Sequence, residues 1–260
     1  MGQRHQIFIR VANPAKFAYP EQKAELEKEF GKGDTTVLVF HNQWLYGRSA
    51  LSNALNVLKF AAQFSVQEKT TKDGDGGYSN PMSPKFINSY LFGGAEKWVN
   101  TIAFIMNFNP VSTSWRNAGV DTSIYIGKSD IEIRNDFTRG DNNDGITIID
   151  TINNKYCFMN IFDFEFEPEV AGIYSLPVLQ PLDARRYVAA YYGETIATCE
   201  ASHIEDIPTL EGKEKVVNQH AKINAKLANK FKKFEVLTIP EIKEIFPKFK
   251  FPKKDLAVSI

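Results

Sequence analysis

The chain has little of what usually marks a chemistry in a sequence. In 260 residues it carries two cysteines, Cys157 and Cys199, and four histidines, His5, His41, His203 and His220. Two cysteines allow one disulfide at most, which excludes the multiply bridged framework of small secreted domains and makes a reducing compartment the default. Their settings, Tyr156-Cys157-Phe158 and Thr198-Cys199-Glu200, match no nucleophile signature. No apolar run approaches the roughly 18–20 residues that cross a bilayer, and no leader with a small-residue cleavage site opens the chain. The expected location is the cytoplasm, with the protein neither secreted nor integral to a membrane. Basic and acidic residues number 31 each, so the formal net charge is zero and the chain as a whole exerts no general pull on nucleic acid or an anionic membrane.

Glycine motifs that cradle phosphate are missing as well, both Gly-x-x-x-x-Gly-Lys-Ser/Thr and Gly-x-Gly-x-x-Gly. The opening Met1-Gly2 is no myristoylation signal, because Gln6 stands where Ser or Thr is needed. Glycine gathers instead in a predicted surface loop, Lys69 to Pro84, with Asp73-Gly74-Asp75-Gly76-Gly77, Asn80-Pro81 and Ser83-Pro84. Its calcium-loop likeness is superficial: Thr71 holds the first ligand position and no glutamate closes the twelfth. Asp141, Asn142, Asn143 and Asp144 offer oxygen ligands, yet a tight turn favours the same residues for backbone reasons, and the turn is preferred. No metal and no cofactor are expected.

What is present is a core. Hydrophobic residues make up 43% of the chain and aromatic residues 13%, ample for a folded domain. The sequence is organised around Thr35–Phe64. Val37 and Val39 alternate with Leu38 and Phe40, so both faces of this strand are oily and it belongs inside a sheet. His41, Asn42, Gln43, Trp44 and Tyr46 follow, then Gly47, where the backbone can turn, and Arg48 and Ser49 open a helix with Leu51, Leu55 and Leu58 at helical spacing. Upstream, Arg4 to Val11 reads as a strand, and Pro20 and Gly31 bracket a charged helix. The opening is β-α-β-α, with a right-handed crossover if its strands are parallel.

Further along, a helix is expected over Gly94 to Phe108, with Trp98, Ile102, Ile105 and Met106 inward, then a polar connection from Ser112 to Gly119. Short strands are expected over 123–126 and 131–133, and a hairpin joins Ile146–Asp150 to Lys155–Phe162 through Asn153-Asn154. Phe162, Phe164 and Phe166 alternate with Asp163, Glu165 and Glu167 in an acidic-faced strand. A short helix over Asp183 to Tyr192 precedes an amphipathic one over Lys215 to Phe234, where Val216, His220, Ile223, Leu227 and Phe231 form the apolar stripe. Thr238 and Glu241 form a capping box for a last helix. The fold class is α+β (or α/β): a mixed sheet with flanking helices over 1–205, and a basic helical extension over 206–260. Acidic residues dominate from Asp130 to Asp206 and basic ones from Lys213 to Lys254, so the two regions can attract one another or a neighbouring copy.

Two candidate sites follow. His5 and His41 end early strands; if those strands are neighbours, both imidazoles can face one pocket with Arg4, Gln43, Trp44 and Arg48, giving an acid–base or anion site, although buried structural histidines are the commoner outcome. The second is the basic, aromatic run Lys248, Phe249, Lys250 and Phe251, suited to contact with an acidic protein face; nucleic acid is the less favoured partner. The opening Met1-Gly2-Gln3-Arg4 together with His41-Asn42-Gln43-Trp44 resembles uncharacterised phage, viral and microbial proteins that begin Met-Gly-x-Arg and carry a His-x-x-Trp turn after the second strand. The resemblance covers about the first fifth of the chain and implies a phage or viral setting without an activity. The functional expectation is a non-enzymatic interaction or structural protein, a virion component or assembly factor that contacts itself or other protein subunits and no membrane. The alternative is a small hydrolase or transferase using His5 and His41.

Overall fold

A computed structural model describes residues 4–43, 45, 47–61, 64, 87, 94–107, 112–117, 124–125, 132–133, 145–159, 181–192 and 207–246. The fold is α+β. Strands β1 (Arg4–Ala12), β2 (Thr35–Gln43), β3 (Ser112–Asn117), β6 (Ile146–Asp150), β7 (Lys155–Met159) and β8 (Glu235–Val236) form one sheet in the order β3-β2-β1-β6-β7-β8. The pair β4 (Ile124–Tyr125) and β5 (Glu132–Ile133) stands apart from it. The helices are α1 (Pro20–Phe30), α2 (Gly47–Phe60), α3 (Gly94–Ile105), α4 (Ala184–Tyr192), α5 (Leu210–Asn229) and α6 (Ile239–Ile245).

The sheet is mixed. β1 lies antiparallel to β2 and parallel to β6, and β7 is antiparallel to β6 and parallel to β8. Because β1 and β2 are antiparallel, α1 joins antiparallel neighbours, and the condition for a right-handed crossover is not met. Asn13 closes this connection. Its Oδ1 accepts from Ala15 N at 3.0 Å while its Nδ2 donates to the carbonyls of Gly31 and Gly33, each at 2.8 Å. Gly31 ends α1 with φ of 75°, a left-handed value that disfavours side chains. The segment from Ser112, expected to be a polar connection, runs instead as the edge strand β3 against β2. Its Ser and Thr residues carry no apolar alternation, and it is the backbone ladder that fixes it there.

Alternation divides the core in two. Ile7, Ile9, Leu38, Phe40 and Phe158 face a layer made by α1 to α5, with Phe30, Leu51, Trp98, Tyr187 and Phe231 among its buried residues. Phe8, Val37, Val39, Ile148 and Cys157 face the other way, onto Leu237, Ile242, Ile245 and Phe246. β2 is therefore an interior strand with both faces covered, as its sequence requires. Residues 207–246, set apart in the sequence as an extension, supply the edge strand β8, part of the helical layer and α6 on the second face.

Ion pairs hold α6 in place. Arg10 donates to Asp150 at 3.2 Å and to Glu244 at 3.1 Å, and the Lys155 ammonium lies 2.7 Å from Glu235 and 2.8 Å from Glu241. Hydrogen bonds to Glu235 first and to Glu241 next hold that ammonium above the usual lysine range. The bond from Lys155, followed by those from Thr238, brings the Glu241 carboxyl down to about 2. Glu241 also accepts from the Thr238 backbone N–H at 2.8 Å, the reciprocal half of the capping box. Asp150 closes the β6–β7 hairpin: one oxygen accepts from the backbone N–H groups of Ile152 and Asn153, at 2.9 and 3.2 Å, and Asn154 takes the turn with φ of 56°.

Candidate functional site: a cationic helix face

The two histidines of the expected cleft do stand on neighbouring strands, but their register separates them. His5 is opposite Asn42 and His41 is opposite Gln6. Directly opposed residues share a face and successive residues alternate, so the two histidine positions belong to opposite faces of the sheet. His5 lies on the helical side, fully buried, with its Nε2 2.7 Å from the Thr147 hydroxyl. Arg4, His41 and Gln43 are described as strand backbone only, Arg4 facing Gln43 across the ladder, and Trp44 lies outside the described residues.

Arg48 leaves the first turn of α2 toward α5. Its Nε donates to Asn224 Oδ1 at 2.9 Å and its Nη2 lies 3.1 Å from His220 Nδ1. A guanidinium only donates, so Nδ1 is the acceptor in this contact. His220 and Asn224 are four residues apart and present this pair of acceptors on one face of α5. Asn224 is buried, and its Nδ2 has no hydrogen-bond partner among the described residues. Beside this junction the Gly47 N–H donates to the Tyr187 hydroxyl at 3.1 Å, and the Tyr187 ring stacks on Phe158 with centroids 4.5 Å apart. The expected ligand-binding arginine thus ties the helices to one another.

On the far side of α5 the arrangement is different. Asn224, Ala228 and Phe231 are buried, and the apolar stripe is rotated by about one residue from the sequence expectation, leaving Ile223 40% exposed. Opposite that buried row, Lys215, Lys222, Lys226, Lys230 and Lys233 are all exposed. At 100° per residue, Lys215, Lys222, Lys226 and Lys230 fall within one quadrant of the helix. Lys233 continues the row in the 3₁₀ turn Lys230–Lys233. From Lys215 to Phe234 there is no acidic residue. Among the described residues none of these lysines makes an ion pair.

Helix α4 adds to this charge. Arg185 donates through Nη2 to Asn229 Oδ1, which fixes the start of α4 against the end of α5, and Arg186 beside it is exposed. Cations at a helix C-terminus are favoured by its dipole, which accounts locally for the lysines that end α5. The same dipole disfavours Arg185 and Arg186, which lie in the first turn of α4 behind Asp183, whose carboxylate accepts from both backbone N–H groups at 2.8 Å. Lys215, in the second turn of α5, is likewise unexplained by the dipole.

Local pattern is sufficient to find this face in retrospect: lysines at i, i+4, i+8 and i+11 in an acid-free stretch. The expected partner-contact run, Lys248, Phe249, Lys250 and Phe251, lies outside the described residues, as do the loop over 69–84, the turn Asp141 to Asp144 and the acidic run Asp163 to Glu169. Among the described residues no group of three or more His, Cys, Asp or Glu is placed to hold a metal ion, and no helix is long and apolar enough to cross a membrane. Comparison with protein-family models, with curated proteins and with solved structures returns no match.

Proposed function

We propose that the chain is a non-enzymatic interaction protein that engages an anionic partner with the cationic face of α5 and the start of α4. The observation that carries this reading is the row of exposed lysines from Lys215 to Lys233, a stretch without a carboxylate between Glu214 and Glu235, with Arg185 joined to its end. Like charges held this close repel one another, and on a chain of zero net charge they are not a by-product of a basic composition. A virion or assembly setting agrees with the resemblance of the opening segment and rests on it. The test is retention on immobilised heparin, a generic polyanion. The intact chain is expected to bind at low salt despite its neutrality, and Lys226→Glu with Lys230→Glu is expected to elute at clearly lower salt. Flow-through of the wild type, or unchanged elution of the variant, overturns the proposal.

A further inference from the structure

The character of the cationic face narrows the class of its partner, and the inference rests on that face being the working surface. From Lys215 to Lys233 the row spans 18 residues, about 27 Å at 1.5 Å per residue. Along it the exposed helix positions between the lysines include Asn218, Gln219, Ala225 and Asn229, with Ile223, 40% exposed, the one large apolar side chain beside the row. Protein–protein interfaces have another composition. Their centres are depleted in lysine and anchored by buried aromatic residues. A long row of exposed lysines without an ion pair among the described residues, with amide side chains between them and an arginine at one end, matches instead the needs of a phosphate backbone. Cations there replace condensed counterions, and amides add hydrogen bonds to phosphate oxygens.

We infer that α5 and the start of α4 bind the phosphate backbone of a nucleic acid without reading its sequence. The row matches the axial length of about eight base pairs at 3.4 Å per pair. Five lysines and Arg185 can neutralise about five phosphates, which sets a log–log salt slope of about −4.5 for a duplex. Affinity is then expected to fall roughly 500-fold between 50 and 200 mM salt.

The experiment is fluorescence anisotropy of the full chain with two labelled 20-base-pair duplexes of unrelated sequence and with labelled polyglutamate, over a salt series. Expected are equal affinities for both duplexes, the slope above, and polyglutamate at least tenfold weaker. Lys222→Gln with Lys226→Gln is expected to lower the slope by about 2 while leaving the circular dichroism spectrum unchanged. A conservative partner, Lys222→Arg with Lys226→Arg, is expected to keep wild-type binding, which a merely structural loss would not allow. Polyglutamate bound as tightly as DNA overturns the phosphate assignment and leaves the cationic-face proposal standing. No binding to duplex, polyglutamate or heparin removes both. A strong preference for one duplex overturns the sequence-independent reading, and an unchanged slope in the glutamine variant overturns the placement on α5.

Discussion

Replacing Asp150 by alanine tests the account of how the C-terminal segment is fastened to the sheet. The carboxylate is 1% exposed and does two jobs. It accepts the backbone N–H groups of Ile152 and Asn153 that shape the hairpin, and it receives Arg10, whose side chain is 14% exposed. Removing one member of a buried pair costs about 3–5 kcal/mol, because the remaining charge is left without its partner. Arg10 keeps Glu244 at 3.1 Å, so the low end applies, about 3 kcal/mol, with about 1 kcal/mol more for the lost turn bonds. With a urea slope of about 3 kcal/mol/M, the unfolding midpoint is expected to fall by roughly 1 M. Asp150→Asn separates the two jobs. It retains an oxygen for the turn but turns a second donor toward Arg10, and it is expected to recover only the smaller part of the loss. A midpoint shift in Asp150→Ala below about 0.3 M would refute the claim that the pair is buried and coupled to the turn.

Two further outcomes follow from the same region. The Glu241 carboxyl, held at about 2 against an unfolded value of about 4.3, binds a proton more readily in the unfolded chain. Its contribution to stability is complete above about pH 5 and is lost as pH falls toward 2, so urea midpoints measured from pH 7 to 3 are expected to fall less steeply in Glu241→Gln than in the wild type. Glu241 is 32% exposed, which makes this a small effect, and identical slopes would show that its bond to Lys155 carries no free energy. A chain cut after Asp206 loses Phe231, Leu237, Ile242, Ile245 and Phe246 from the two cores together with β8, and is expected to melt without a cooperative transition by circular dichroism. A sharp transition near that of the intact chain would make the 207–246 segment a dispensable addition.

Elements whose character is local were legible in the sequence. The two-sided apolar run of β2, Pro20 and Gly31 around α1, the Asn153-Asn154 turn and the Thr238–Glu241 capping box each state their conformation within a few residues, and each is found at or close to its expected place. What the sequence hid is long-range. β3 is held by its ladder to β2 and carries no apolar signal of its own, and β8 is two residues long, below any periodicity. The parallel register of β1 with β6 depends on residues 140 apart. The expected histidine cleft turns on register: one residue of offset between β1 and β2 decides which face a strand position takes, and nothing in His5-Gln6 or His41-Asn42 states that offset. For α5 the helix was legible but its rotation was not. Choosing the apolar residue Ile223 over Asn224 as the buried one is natural until Arg48 is seen to bond Asn224.

The parallel pairing of β1 with β6 also orders events in time. Joining residues 6 and 146 closes a chain loop that costs about 3 kcal/mol more in entropy than a hairpin loop of about five residues, on logarithmic scaling. The β6–β7 hairpin and the β1–β2 unit are expected to form first, each from nearby chain, and to meet later along the β1–β6 seam. During synthesis at roughly 5–20 residues per second, the seam waits for residue 150 and the Lys155–Tyr156 end of the β7 edge waits for Val236, roughly 10–50 s after Met1. Until then the Lys155–Tyr156 end of the β7 edge, beyond the Leu182 bridge at Phe158, and the oily face that α6 will cover are exposed to other nascent chains. Early encounter with a chaperone, or slow crowding of unfinished copies, is the cost of closing the sheet with its last-made strand.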